Sequence, residues 1–229
     1  MSWSRAGSVR DDVVESLPSW LLPVVHMART IDAADITSFL PTAEVGRHSA
    51  VLLLFGEGPD GPDLLLIERA ARMRAHAGQP AFPGGAVDPG DADAVDAALR
   101  EAYEETALER SGVVPFGLLP DLFLPVSDFV VTPVLAWWRE PSAVHAAAPD
   151  EVASVQRVPI GELVDPANRC RVRHPSGYVG MGFEVRGMLV WGFTAGIIAA
   201  ILDSAGWSVP WDEHRFVSLI ESEPDLEVL

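Results

Sequence analysis

The stretch from Phe82 to Leu108, FPGGAVDPGDADAVDAALREAYEETAL, constrains this chain more than any other. Pro83 holds its own φ near about −65°. Gly84 and Gly85 open backbone angles closed to other residues, so the turn can approach a ligand closely. Asp91 or Asp93 can then cap a helix, and no Gly or Pro follows Asp93 until Gly112. At about 100° per residue, Val95, Ala98, Leu99, Ala102 and Thr106 share one face of that helix. Glu101 and Glu105 stack at i,i+4 along one edge of this apolar stripe, and Glu104 neighbours Glu101 at i,i+3.

Three carboxylates at the C-terminal half of a helix repel one another and oppose the helix dipole. Arg100 alone does not offset them. Hard divalent cations want several carboxylate oxygens at short range, and Mg²⁺ keeps waters that a phosphate-bearing substrate can replace. Taken singly, the helix reads also as a solvated acidic face and the PGG as an ordinary tight turn. Adjacent in sequence, the two point to a metal-holding site.

Composition narrows the class. The 229 residues suffice for one domain with a substantial core. A hydrophobic share of 48% with 21% charged residues suits a soluble globular protein. A single cysteine, Cys170, excludes an internal disulfide framework and fits a reducing, cytoplasmic setting. The polar start gives no signal peptide, and the most apolar run, Met188 to Leu202, is short for a membrane span and broken by Gly192, Thr194 and Gly196. A net charge of −17 repels long polyanions, so nucleic acid is not an expected partner. A small phosphorylated ligand fits if cations gather at one place, and a homodimer is compatible with the sequence.

Along the chain, residues 1–45 read as an N-terminal extension whose Trp20, Leu21, Leu22, Val24, Val25 and Met27 dock on a body formed by residues 46–229. Ile31 to Leu40 predicts a short helix ended by Pro41. Ser49 to Phe55 and Leu64 to Ile67 predict a hairpin of buried strands around GEGPDGPD. Arg69, Arg72, Arg74 and His76 then fall within eight residues of a chain holding only 16 Lys plus Arg, which suggests an anion site on a loop leading to the turn. Val113 to Leu119 predicts a strand, Pro120 to Asp128 a loop, and Phe129 to Trp138 a strand that Pro133 should confine to an edge or a bulge. Phe123, Phe129, Trp137 and Trp138 read as core or as surfaces for stacking an adenine. Glu151 to Gln156 begins a strand and Val158 to Asn168 leads into a short helix. Arg169 to Val190 predicts one hairpin around PSGYVGMG, Val190 to Ala205 a buried helix, and Pro210 to Ser222 a last helix.

The glycine turn and helix resemble the signature of the Nudix hydrolases, carried here by Gly85, Asp91, Arg100, Glu101, Ala102, Glu104, Glu105, Ala107 and Leu108. Asp91 stands where the family has Glu, one extra residue separates it from Arg100, and Ala107 replaces Gly. The first two departures do not carry a metal role to Asp91. The third costs little provided Ala107 has negative φ. LLIERAARMRAHAGQPAFPGG, Leu65 to Gly85, resembles the pattern ahead of the signature in the coenzyme A pyrophosphatase branch, matching at Leu65, Leu66, Arg69, Ala70, Arg74, Gly78 and Phe82 to Gly85. VDPGD after the glycines and WGFTA at Trp191 are similar to the same branch.

The resemblance implies an α/β fold, an α/β/α sandwich with a mixed sheet between helices. It implies hydrolysis of the diphosphate of coenzyme A or an acyl derivative to 3′,5′-ADP and 4′-phosphopantetheine, with Mg²⁺ or Mn²⁺ held by Glu101, Glu104 and Glu105. Arg100 would orient these carboxylates. Arg69 and Arg74 would bind phosphate oxygens, and Gly84 and Gly85 would line the site. The base would be Glu104, Glu105 or Glu151. An ADP-sugar, NADH or a dinucleotide is the alternative substrate, and a non-catalytic binding module the alternative role.

Overall fold

The computed structural model describes residues 8–37, 46–70, 78–125 and 128–219. Strand β1 (Arg47–Gly58) is its centre. It pairs in parallel with β7 (Phe129–Trp138) and antiparallel with β2 (Gly61–Arg69) and the short β4 (Gly84–Ala86). Strand β3 (Pro80–Ala81) and strand β8 (Val152–Pro159) both pair with β2, and β5 (Val113–Leu118) and β6 (Leu122–Leu124) pair with β7. The sheet is therefore mixed.

Alternation along the strands decides which face meets which layer. Leu52 and Leu54 of β1, Leu65 of β2, and Val134 and Ala136 of β7 share one cluster with α4 (Ala94–Thr106). Leu53, Phe55, Leu64, Leu66 and Leu135 belong to the opposite cluster, with α2 (Leu22–Ala28) and α6 (Gly192–Ser204). The sheet thus lies between helices, the expected α/β/α arrangement. Each leucine fully withdrawn from water here contributes about 1.5–3 kcal/mol relative to exposure. Leu21, Val24, Val25 and Met27 belong to this second cluster, whereas Leu22 is exposed. Short helices α1 (Asp11–Val14) and α3 (Ala33–Ile36) flank α2, and α5 (Ile160–Val164) follows β8. Residues 38–45, where the predicted helix should have ended, lie outside the described set. Among the described residues no helix is long and apolar enough to cross a membrane.

Several expectations need correction. Pro133 is interior, not at an edge: it pairs with Val51 of β1 in register. Its carbonyl accepts from the Leu119 amide at 2.9 Å, just past the end of β5, so its missing N–H also faces the point where the chain leaves β5 for β6. The region after Asn168 holds a second sheet of β9 (Arg169–Arg173), β10 (Val179–Val185), β11 (Met188–Trp191) and β12 (Phe216–Ser218). There the single predicted hairpin becomes two, because Arg186 and Gly187 both take positive φ and turn the chain a second time. Val190 and Trp191 belong to β11, and α6 begins at Gly192. The predicted last helix is absent among the described residues, where β12 pairs in parallel with β9.

Ala107 also departs from expectation. It ends α4 in the left-handed region, φ 57° and ψ 25°, with its N–H donating to the Tyr103 carbonyl at 2.8 Å. A Cβ is disfavoured there. Replacing Ala107 with Gly is expected to raise unfolding free energy by about 0.5–1 kcal/mol, the strain relieved exceeding the entropy added to the unfolded chain. Urea denaturation of the two proteins measures it, and a less stable glycine variant would contradict the strain.

Candidate active site

The glycine turn and α4 meet because both glycines lack side chains. A Cβ on Gly84 would lie 2.3 Å from the Ala50 carbonyl oxygen, and one on Gly85 would lie 2.4 Å from the Glu101 carboxylate. β4 can therefore press against β1, in register Gly84 with Val51 and Gly85 with Ala50, while the acids of α4 pack over it. Asp93, not Asp91, caps the helix, accepting from the Val95 and Asp96 amides at 3.0 Å each. Val95, Ala98, Leu99, Ala102 and Thr106 are all buried, as their spacing requires.

Glu105 goes further into the core than an edge position suggests. It is only 3% exposed, and its Oε2 accepts from the Gly84 amide at 2.9 Å. Among the described residues it has no ion pair. Burial pushes its carboxyl up to about 7; the Gly84 N–H and the charge of Arg69 oppose the rise, while Glu101 and Glu151 add to it. Burial likewise raises Glu101, against its hydrogen bond to Arg100, with Glu104 and Glu151 adding repulsion.

Arg100 clamps the acids from one side. Its Nε and Nη2 donate to the two oxygens of Asp91 at 2.9 and 3.0 Å. Its Nη1 donates to Glu101 at 3.0 Å and reaches Glu104 at 3.4 Å, and Nη2 also donates to the Ala86 carbonyl at 3.0 Å. The hydrogen bonds to Arg100 hold Asp91 below the usual carboxylate range, and those to Asp91 and Glu101 hold the guanidinium firmly charged. Asp91 is thus the principal partner of Arg100, which the sequence reading did not foresee. The signal was there in a loop acid and a helix arginine nine residues apart.

Two further segments close the site. The Glu151 carbonyl accepts from the Ala70 amide at 2.8 Å, fixing the start of β8 beside the end of β2. Glu151 is exposed, and its charge acts on both Glu101 and Glu105. Arg69, the last residue of β2, acts on Glu105 from the same side, and its buried Nε has no hydrogen-bond partner among the described residues. Hydrogen bonds and charge thus couple Glu101, Glu104, Glu105, Glu151, Arg69, Arg100 and Gly84, and Gly85 lies against the Glu101 carboxylate. Arg72, Arg74 and His76 lie outside the described residues. Of the candidate stacking aromatics, Trp138 is 2% exposed under Arg157 and Phe129 lies beneath Arg47, so Trp138 has no face for a ligand.

The donor chemistry fits a hard divalent cation: carboxylate oxygens, one deeply buried and without an ion pair among the described residues. The acids are held apart, however. Among the described residues no three His, Cys, Asp or Glu side chains converge as a ready cation cage. Arg100 holds Glu101 and Glu104, and the Gly84 amide holds Glu105.

A family model described as NUDIX domain matches residues 46–175. The protein named uncharacterized Nudix hydrolase NudL of Citrobacter koseri is 46% identical over 161 residues, covering 67% of this chain and 81% of the relative. Its namesake in Escherichia coli K12 is 41% identical over 159 residues, covering 66% and 79%. The Nudix hydrolase RenU of M. smegmatis, a solved structure, aligns at TM-score 0.47 and 21% identity over 70% of this chain and 87% of its own.

The raised Glu105 carboxyl has a stability consequence in metal-free protein. The folded state binds its proton more tightly than the unfolded state does. Its contribution is fully present below the unfolded value of 4.5 and is lost as pH rises through about 7. A shift of this size corresponds to on the order of 3 kcal/mol. With chelator present, unfolding free energy should fall from pH 5 to pH 8 relative to Glu105→Gln, which lacks the titration. Parallel pH profiles for the two proteins would contradict the burial.

Proposed function

Because the chain belongs to the Nudix hydrolase family, we propose that it cleaves the diphosphate bridge of coenzyme A or an acyl derivative, giving 3′,5′-ADP and 4′-phosphopantetheine. The observation that carries the diphosphate reading is the buried Glu105 carboxylate, without an ion pair among the described residues and set among Glu101, Glu104 and Glu151 with Arg69 alongside. A protein selected for stability alone would not gather these acids at a helix C-terminus. The coenzyme A assignment is supported by the resemblance of Leu65 to Gly85 to that branch.

Glu101, Glu104 and Glu105 would hold Mg²⁺ or Mn²⁺, which when bound neutralises diphosphate oxygens and acidifies water. The other steps belong to the chain. Arg69 and Arg74 bind phosphate oxygens and hold the bridge against the turn. The backbone of Gly84 and Gly85 lines the site, since the missing side chains let Ala50 and the Glu101 carboxylate pack directly against the turn. Arg100, anchored on Asp91, orients Glu101 and Glu104. A water oxygen bonds to one phosphorus, the bond from that phosphorus to the bridging oxygen breaks, and the leaving phosphate departs with the bridge oxygen. Glu151, exposed and outside the Arg100 clamp, takes the water's proton.

Turnover of coenzyme A, NADH, ADP-ribose and dinucleoside polyphosphates by the purified protein with Mg²⁺ or Mn²⁺ tests the assignment. Coenzyme A is expected to be preferred, and a clear preference for another diphosphate would overturn it. Glu105→Gln should fold and lose more than about 100-fold in kcat, beyond the loss usual for groups that merely support a ligand. Arg74→Ala should raise KM with little change in melting temperature, and an unchanged KM would remove Arg74 from the phosphate.

A further inference from the structure

The connection from β7 to β8, residues 139–151 and all of them described, has no helix or strand. Connections this long inside a compact domain are usually functional. This one runs as a strap along the end of α4 in a fixed register. The Glu140 amide donates to the Gly112 carbonyl at 3.1 Å, and a Cβ on Gly112 would lie 2.1 Å from the Glu140 carbonyl oxygen. The Ser142 hydroxyl accepts from the Glu109 amide at 3.2 Å. The His145 and Ala147 amides donate to the Thr106 and Glu105 carbonyls at 3.1 and 3.0 Å. Partners thus fall from residue 112 to 105 as the strap rises from 140 to 147. Val144 packs on the cluster that holds α4, while Ala143, His145 and Ala147 are exposed.

The strap satisfies carbonyls that a helix end leaves without partners. It also delivers Glu151. The Glu151 and Val152 amides both donate to the Ala148 carbonyl at 2.8 Å. This closes a turn with Pro149 in second place, where its fixed φ suits. Such a turn keeps its end Cα atoms within about 7 Å of each other. Ala148 follows Ala147, so a single turn separates the residue bonded to the Glu105 backbone from Glu151. On the other side, the Glu151 carbonyl takes the amide of Ala70, next to Arg69. Ser154 pairs with Glu68 and Val152 with Arg69, leaving Ala153 as a bulge, a device that re-aims side chains beside active sites.

We propose that the strap positions the general base, with Val144 and Ala147 as positioning residues that hold Glu151 at its working distance from the acids of α4. This rests on the diphosphate reading above and deepens it by naming what fixes the base. The charge of Glu151 acts on both Glu101 and Glu105, so the three are neighbours. A base must come within about 2.6–3.2 Å of the atom whose proton it takes. A misplacement of about 1 Å can cost on the order of 100-fold in rate.

Ala147→Pro replaces the donated hydrogen with a ring carbon and pushes the strap off the Glu105 carbonyl. Turnover of coenzyme A with Mg²⁺, or of whichever diphosphate in the screen above the protein hydrolyses, is measured for wild type, Ala147→Pro, Glu151→Gln and the double variant. Glu151→Gln should lower kcat about 100-fold. Ala147→Pro should lower kcat about tenfold and leave KM and Mn²⁺ affinity within about twofold. In the Glu151→Gln background it should change kcat less than about twofold, because nothing remains for the strap to position. Should Ala147→Pro fail to fold, Val144→Ala makes the same comparison, and Val144→Ile, which keeps the packing, should recover most of the loss. An equal loss in both backgrounds, an unchanged kcat in the single strap variant, or Mn²⁺ affinity falling in step with kcat would overturn the inference. Wild-type kcat in Glu151→Gln would overturn it as well, by removing the base, and leave the diphosphate reading standing. A protein that hydrolyses none of the diphosphates sinks that reading and this inference with it.

Discussion

The hydrogen bond from the Gly84 amide to the Glu105 carboxylate is the contact on which the site depends. It joins the glycine turn to the last full turn of α4 and takes a carboxylate out of water to do so. Such a carboxylate, with one backbone donor and acids for neighbours, is unfavourable by itself. It persists because the surrounding structure fixes it: β4 is paired to β1, and α4 is bound to the same sheet by Val95, Ala98, Leu99 and Ala102. The core therefore determines the geometry of the acids.

Arg100 balances the arrangement from the opposite side. One guanidinium neutralises Asp91 bidentately and spreads to Glu101, Glu104 and the Ala86 carbonyl, tying the loop before α4 to the helix itself. Glu105 and Glu151 stay beyond its reach. The site thus separates into acids held by Arg100 and acids without an ion pair among the described residues, and of the latter Glu105 feels the charge of Arg69. A cation and an anionic substrate entering together would answer both imbalances.

Much of this was legible in the sequence because helical periodicity and glycine chemistry are local. The apolar stripe of α4 follows from residue type and spacing, its cap narrows to Asp91 or Asp93, and the glycines mark a close backbone approach whose partners, Ala50 and Glu101, only the fold supplies. The depth of Glu105 was less legible, since a position at the stripe's edge becomes buried only when a particular strand, here β4, lies over it. Pro133 misled because the rule against interior prolines assumes a continuous neighbour, whereas here the neighbour changes from β5 to β6. Ala107 misled because helix termination demanded left-handed backbone that the sequence did not advertise with glycine or asparagine. The second sheet was read as one hairpin because Arg186 is not a residue that announces positive φ.

The central claim is that acids at the C-terminal half of α4 are tolerated because they hold a divalent cation. Electron paramagnetic resonance of Mn²⁺ titrated with the chelator-stripped protein tests this without reference to substrate. The account predicts loss of the free-ion signal at stoichiometric protein, and its return in a Glu101→Gln, Glu105→Gln double variant that remains folded. A free-ion signal undiminished by excess wild-type protein would contradict it.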